Sequence, residues 1–251
     1  MTYCVGALIE SGLVLASDTR TNAGVDHVAT VRKMHVFEKP GDRVLVLLSA
    51  GNLAITQAVV NLLNEAVKQG YETDNLMMAP TLFRAARIVG EALREVHRVD
   101  ADHLKLHQTD FVASLILGGQ IRGEEPRLFN IYAAGNFIEA TVDTPYFQIG
   151  EMKYGKPVLD RLISSDMSLG ECAKCVLVSY SSTMRSNISV GLPIDLLCYR
   201  KDSLRVEHRI TLDRDDPYFN ALREGWSEAL QRAFSDLPDL DLAKRRTAAE
   251  S

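Results

Sequence analysis

Hydrophobic periodicity changes along this chain in blocks, and the order of those blocks limits the fold more than any other feature. Short β-rich runs occupy Thr2 to Ile9, Leu13 to Ser17, Met34 to Phe37 and Val44 to Ser49. The turns between them, Glu10-Ser11-Gly12 and Lys39-Pro40-Gly41-Asp42, predict two antiparallel hairpins. A helical period follows at Ile55, Val59, Leu62, Leu63 and Ala66, and again, after Pro80, at Leu82, Ala85, Ala86, Val89, Leu93 and Val96. Strand patterns return at Phe111 to Leu117, Arg127 to Ala133 and Thr144 to Ile149. Helical ones then run around Val158 to Ile163 and from Ser168 to about Ser186. The runs Asp195 to Arg200 and Leu204 to Thr211 read as strands pairing across Lys201-Asp202-Ser203. A last helix carries Phe219, Leu222, Trp226, Leu230, Ala233 and Phe234 on one stripe.

Strands, helix pair, strands, helix pair, strands, helix: two sheets stacked face to face, with helices over their outer faces, bury every apolar stripe in this order. The expected fold is therefore α+β, a four-layer αββα sandwich. No internal repeat or low-complexity linker divides it, so one domain over residues 1–234 is expected, with residues 235–251 a solvated tail dispensable for assembly.

A net charge of −5 with no cluster of Lys and Arg before that tail argues against a nucleic-acid groove. The apolar stretch Leu53 to Leu63 is interrupted by Thr56, Gln57 and Asn61 and falls short of the roughly 20 residues that span a bilayer, so no membrane partner is expected. Residues 1–15 lack a basic start, and Glu10 and Ser11 break the apolar run, which speaks against an export signal and for the cytoplasm. In that setting Cys4, Cys172, Cys175 and Cys198 are expected to be reduced, with the Cys172–Cys175 pair packing on a helix face. His103 and His107, read as part of a polar connection, have no Glu or Cys to complete a metal set; no metal or cofactor is expected.

The chemistry points to the N-terminus. Thr2 follows Met1, and loss of Met1 would leave a threonine whose own α-amine, with an ordinary pKa of about 7.7–8.0, can take the proton from its hydroxyl near neutral pH. Around it stand Thr2-Tyr3-Cys4-Val5-Gly6, then Gly12-Leu13-Val14-Leu15-Ala16-Ser17-Asp18-Thr19-Arg20, then Arg32-Lys33-Met34 and Ser49-Ala50-Gly51. In this order they resemble the N-terminal nucleophile hydrolases of the proteasome type. The wording S-D-T-R-T-N-A-G-V-D-H and R-K-M-H-V-F is similar to the bacterial proteasome-related Anbu family, relatives of proteasome β subunits and of the HslV peptidase, over Thr2 to about Phe234.

That resemblance implies Thr2 as nucleophile, Lys33 as the cation that lowers the amine pKa, Asp18 as its counter-charge, and the Gly51 N–H as donor to a developing oxyanion. Lys33 lies one residue nearer the nucleophile than the family spacing, which a shorter Asn22–Val31 loop would explain. Arg32 is the rival, less suited because a guanidinium does not deprotonate. The resemblance also places Thr21, Val31, Ser49 and Leu53 around the substrate side chain before the scissile bond, none of them acidic, which favours uncharged side chains. Two positions depart from the pattern. Glu151 follows Gly150 where relatives carry a serine, and a carboxylate beside the amine would raise the amine pKa. In Arg185-Ser186-Asn187-Ile188-Ser189, Ser186 replaces an aspartate while Ser189 keeps its hydroxyl.

Three functions fit these residues: a threonine peptidase acting on peptides or unfolded polypeptides, an amidase acting on a small amide, or a noncatalytic assembly subunit that retains Met1. The resemblance implies a homo-oligomer of roughly six or more copies, ring or open spiral, with Thr2 facing inward. Nothing in the sequence identifies an ATPase partner.

Overall fold

The computed structural model describes residues 2–22, 28–70 and 74–240. The chain separates into two compact units, one ending at Arg214 and one starting at Asp215.

In the first unit, β1 (Tyr3–Ile9) and β2 (Gly12–Asp18) form the first hairpin. The second comprises β5 (Met34–Lys39) and β6 (Arg43–Gly51). Between them lie two three-residue strands, β3 (Arg20–Asn22) and β4 (Val28–Thr30), paired with each other. Helices α1 (Leu53–Gln69) and α2 (Leu82–Leu106) follow. The chain then makes β7 (Ala113–Ile121), β8 (Arg127–Ile131), β9 (Phe137–Glu139) and β10 (Tyr146–Gly150). After α3 (Lys156–Leu162) and α4 (Leu169–Ser186) come β11 (Ile194–Arg200) and β12 (His208–Leu212). Two five-stranded antiparallel sheets result, ordered β10-β1-β2-β11-β12 and β5-β6-β7-β8-β9.

Side-chain alternation sets the layers. On β6, Val44, Val46, Leu48 and Ala50 join Leu13 and Leu15 of β2, Ile116 of β7 and Leu197 of β11 in the core between the sheets. The intervening Leu45 and Leu47 point the other way and pack with Ile55 and Val59 of α1 and Leu82, Val89 and Leu93 of α2. A strand buried on both faces must be apolar throughout, which is why Val44 to Leu48 reads as an unbroken run. Helix α4 covers the opposite sheet through β2, β11 and β1. Its N-terminus is closed by a capping box in which Ser168 Oγ accepts from Glu171 N and the Glu171 carboxylate accepts from Ser168 N. The fold is the αββα sandwich that the pattern predicts.

Two details differ from the sequence reading, and the cysteines agree with it. Strand β12 starts at His208 rather than Leu204, because residues 201–207 loop out while Gln120 Oε1 accepts from Asp202 N. Helix α2 runs on to Leu106, so that His103 is helical and His107 is its C-cap; its last turns expose polar side chains and leave little apolar periodicity to read. The Cys172–Cys175 pair is buried on α4, and the four cysteines are free thiols.

The second unit contains α5 (Pro217–Ser235), started by Pro217 and by Asp216, whose Oδ1 accepts from Phe219 N at 2.7 Å. Residues 241–251 of the expected tail lie outside the described residues.

Candidate active site

Thr2 precedes β1 and is half-buried. Its carbonyl accepts a 2.7 Å hydrogen bond from Glu151 N, the residue after Gly150, which ends β10 and pairs with Tyr3. Gly150 has φ +84°, and a Cβ there would lie 2.0 Å from Thr2 O, so only glycine allows β10 to close on the start of β1. Gly150→Ala is accordingly expected to move Thr2 or destabilise the fold by about 1–3 kcal/mol. Denaturant unfolding and Thr2 reactivity, measured on the same preparation, check this.

The next residue anchors the strand. Tyr3 is fully buried; its hydroxyl accepts from Gln148 Nε2 at 2.7 Å and lies 2.9 Å from Ser179 Oγ, while its carbonyl accepts from the Tyr180 hydroxyl at 2.7 Å. Burial pushes both phenols well above their ordinary pKa, so both stay protonated donors. Tyr3 N donates at 3.0 Å to Asp18 Oδ1, at the end of β2.

The same carboxylate oxygen accepts from Lys33 Nζ at 2.9 Å, and that ammonium also donates to Arg20 O at 2.7 Å. Lys33 is 4% exposed and Asp18 is 0% exposed, whereas the neighbouring Arg32 is exposed. The reason is local. Met34 opens β5 with its side chain in the core between the sheets, and Ser49 N of β6 donates to Lys33 O at 3.0 Å, which leaves Lys33 inside and Arg32 outside. Burial pushes the Asp18 carboxyl upward against the opposing pull of Lys33 and the Tyr3 N–H. Removing either partner of such a buried pair leaves an uncompensated charge, at a cost of roughly 3–5 kcal/mol. The peptide N–H that follows Thr2 thus shares the Asp18 Oδ1 atom with the buried Lys33 ammonium.

Gly51 ends β6 at φ +118°, where a Cβ would lie 2.3 Å from Val112 O. It is exposed and precedes Asn52, whose side chain caps α1 by accepting from Ala54 N at 3.0 Å. The Gly51 main chain therefore lies beside a helix N-terminus, which favours negative charge. Of the residues expected to contact substrate, Ser49 is buried, Val31 and Leu53 are half-buried, and the Thr21 side chain lies outside those described.

Ser189 is half-buried in the loop after α4, and its N–H donates to Asn187 Oδ1 at 2.9 Å; Ser186, the last residue of α4, is exposed. The Glu151 carboxylate is 6% exposed and accepts from Lys153 N at 3.0 Å and Asn187 Nδ2 at 2.7 Å. Two residues outside the sequence-derived set complete the surroundings. Arg20 donates from Nη1 to Ile188 O at 3.0 Å, and Asn187 joins Glu151 to Ser189. Arg20 belongs to the S-D-T-R run, but nothing in the sequence ties it to Ile188. Among the described residues no group of three or more His, Cys, Asp or Glu is placed to hold a metal ion. No described helix is long and apolar enough to cross a membrane. A cavity of about 350 Å³ between α1 and α2, lined by Ala58, Leu62, Val96 and Val99 among others, includes none of the site residues.

Residues 2–196 match the family model described as proteasome subunit. Among solved structures, the Gly-1 mutant of Anbu from Hyphomicrobium sp. strain MC1 is 53% identical with a TM-score of 0.91, covering 96% of this chain and 100% of its own. Anbu from Yersinia bercovieri, described as an ancestral β-subunit, is 52% identical with a TM-score of 0.90, covering 96% and 99%. The helical assembly of the Anbu complex from Pseudomonas aeruginosa is 46% identical with a TM-score of 0.91, covering 96% and 99%. No curated protein matches the chain.

Proposed function

Since the chain belongs to the proteasome subunit family, in its Anbu branch, we propose that it is a threonine peptidase whose nucleophile is Thr2 once Met1 has been removed. The observation that carries this reading is the buried Lys33–Asp18 pair, joined to the nucleophile's own strand by the Tyr3 N–H. The free α-amine takes the proton from the Thr2 hydroxyl as its oxygen attacks the peptide carbonyl. The Lys33 charge keeps that amine unprotonated and favours the developing alkoxide. The tetrahedral oxygen turns to the Gly51 N–H; collapse breaks the C–N bond, and the leaving amine takes back the proton held by the α-amine. The acyl ester on Thr2 is then hydrolysed by a water that gives its proton to the same amine, and the Thr2 oxygen leaves reprotonated.

Val31, Ser49 and Leu53, with Thr21, suit an uncharged side chain before the scissile bond. Unfolded polypeptides and short peptides are the expected substrates, in the cytoplasm. Peptide libraries with apolar, acidic and basic residues at that position, followed by mass spectrometry, test this. Cleavage after apolar residues, with a transient acyl mass on the N-terminal peptide, is expected; hydrolysis of small amides alone would favour the amidase instead.

We further propose a homo-oligomer with its sites turned inward. The assembly described for the Pseudomonas aeruginosa relative is helical, and a repeated heterologous contact that rises at each step gives an open spiral where a flat one closes a ring. Sedimentation is expected to show roughly six or more copies and electron microscopy an open spiral. A monomer or dimer at working concentration contradicts the enclosure.

A further inference from the structure

A circuit of hydrogen bonds, closed by short stretches of covalent chain, starts and ends at Thr2–Tyr3, and one limb of it belongs to neither the nucleophile nor the Lys33–Asp18 pair. On one side, Tyr3 N and Lys33 Nζ both meet Asp18 Oδ1, Lys33 Nζ also meets Arg20 O, and Arg20 Nη1 donates to Ile188 O. On the other, Glu151 N donates to Thr2 O, the Glu151 carboxylate accepts from Asn187 Nδ2, and Asn187 Oδ1 accepts from Ser189 N. The two sides meet at adjacent residues, Ile188 and Ser189.

We infer that Glu151 and Asn187 act together as positioning residues, a bracket that sets the Ser189 loop against the N-terminal threonine; the inference rests on the Thr2 reading above. Glu151 grips both parts at once, through its N–H on the Thr2 carbonyl and its carboxylate on the Asn187 amide. One carboxylate oxygen is occupied by Lys153 N and the other by Asn187 Nδ2. The amide oxygen of Asn187 is turned to Ser189 N, so its nitrogen must face Glu151. Asn187 is also the C-cap of α4, and its own N–H donates to Thr183 O, so the bracket is mounted on a helix end that cannot drift freely. Through Glu151 N the bracket holds the Thr2 main chain, and placement of a reacting residue acts on rate, where displacements of about 1 Å cost up to about 10²-fold.

The donor and acceptor in this bracket can be exchanged. Asn187→Asp alone sets two carboxylates against each other, and Glu151→Gln alone sets an amide N–H₂ against a donor, whichever way the amide turns. Together the two changes restore one N–H···O bond with the roles reversed, while Lys153 N and Ser189 N keep their acceptors. The test follows acylation of Thr2 by a β-lactone in Asn187→Asp, Glu151→Gln and the double variant, with hydrogen exchange of the 187–191 segment read in parallel. Each single change is expected to lower the maximal acylation rate about tenfold or more and to speed exchange, leaving the half-saturating lactone concentration unchanged; the double variant recovers to within about threefold of the parent. If Asn187→Asp does not fold, Glu151→Gln against the double variant decides. A double variant no better than either single, or singles within about twofold of the parent in both readouts, overturns the bracket. Absence of acylation in the parent itself refutes the Thr2 reading instead, and the exchange pattern still decides whether the bracket exists.

Discussion

Thr2→Ala is expected to abolish peptide hydrolysis and covalent labelling, with a fall of roughly 10⁴-fold or more, while the protein folds and assembles as the parent does. Thr2 is half-buried and lies ahead of the first strand. Its main-chain carbonyl accepts a hydrogen bond from Glu151 N, which alanine retains. Nothing in either core includes its side chain. The substitution therefore separates chemistry from structure. Circular dichroism and sedimentation read the second, and a peptide assay with a lactone probe reads the first. Activity within about tenfold of the parent would remove Thr2 from the role of nucleophile, since other residues acting on the reaction cannot replace a missing oxygen.

Lys33→Ala is expected to be almost as damaging, by about 10²–10⁴-fold, and Arg32→Ala to leave the rate within about threefold. The difference follows from placement. Lys33 Nζ meets Asp18 Oδ1 and Arg20 O in a site closed to solvent, and Arg32 is exposed. Lys33→Ala also leaves Asp18 buried without its counter-charge, so some loss of stability will accompany the loss of rate. Lys33→Met, which keeps the bulk, and Asp18→Asn combined with Lys33→Met, which removes both charges, separate the two effects. Stability is expected to return in the double variant and activity is not. A larger loss from Arg32→Ala than from Lys33→Ala would reverse the assignment.

The layered fold was legible because its strands and helices obey simple periods. A strand between a sheet and a helix layer, such as β6, must be apolar at successive positions, and α1 and α2 each repeat an apolar face against it. What escaped notice was too short or too polar to show a period. Strands β3, β4 and β9 have three residues each, and the last turns of α2 are exposed. The ordered motifs named the residues of the candidate site, and the preference for Lys33 over Arg32 rested on chemistry; that Lys33 is buried and Arg32 exposed depends on the pairing of Lys33 O with Ser49 N, which spacing alone does not give. The Glu151–Asn187 contact could not be read at all, since its members sit in loops 36 residues apart and meet because β10 and α4 end at the same corner. Read from sequence, Glu151 was a charge beside the amine; in the fold its carboxylate is occupied by Lys153 N and Asn187 Nδ2.

If Thr2 supplies both nucleophile and base, an electrophile that requires both will report it. An α′,β′-epoxyketone peptide with an apolar residue next to the ketone forms a stable ring only when a hydroxyl and an adjacent free amine attack it together. Intact-mass and N-terminal peptide analysis of the treated protein is expected to show Met1 absent and one adduct bridging the Thr2 oxygen and nitrogen. Met1 retained throughout the assembled protein, or an adduct formed on any other residue, would show that Thr2 is not both nucleophile and base.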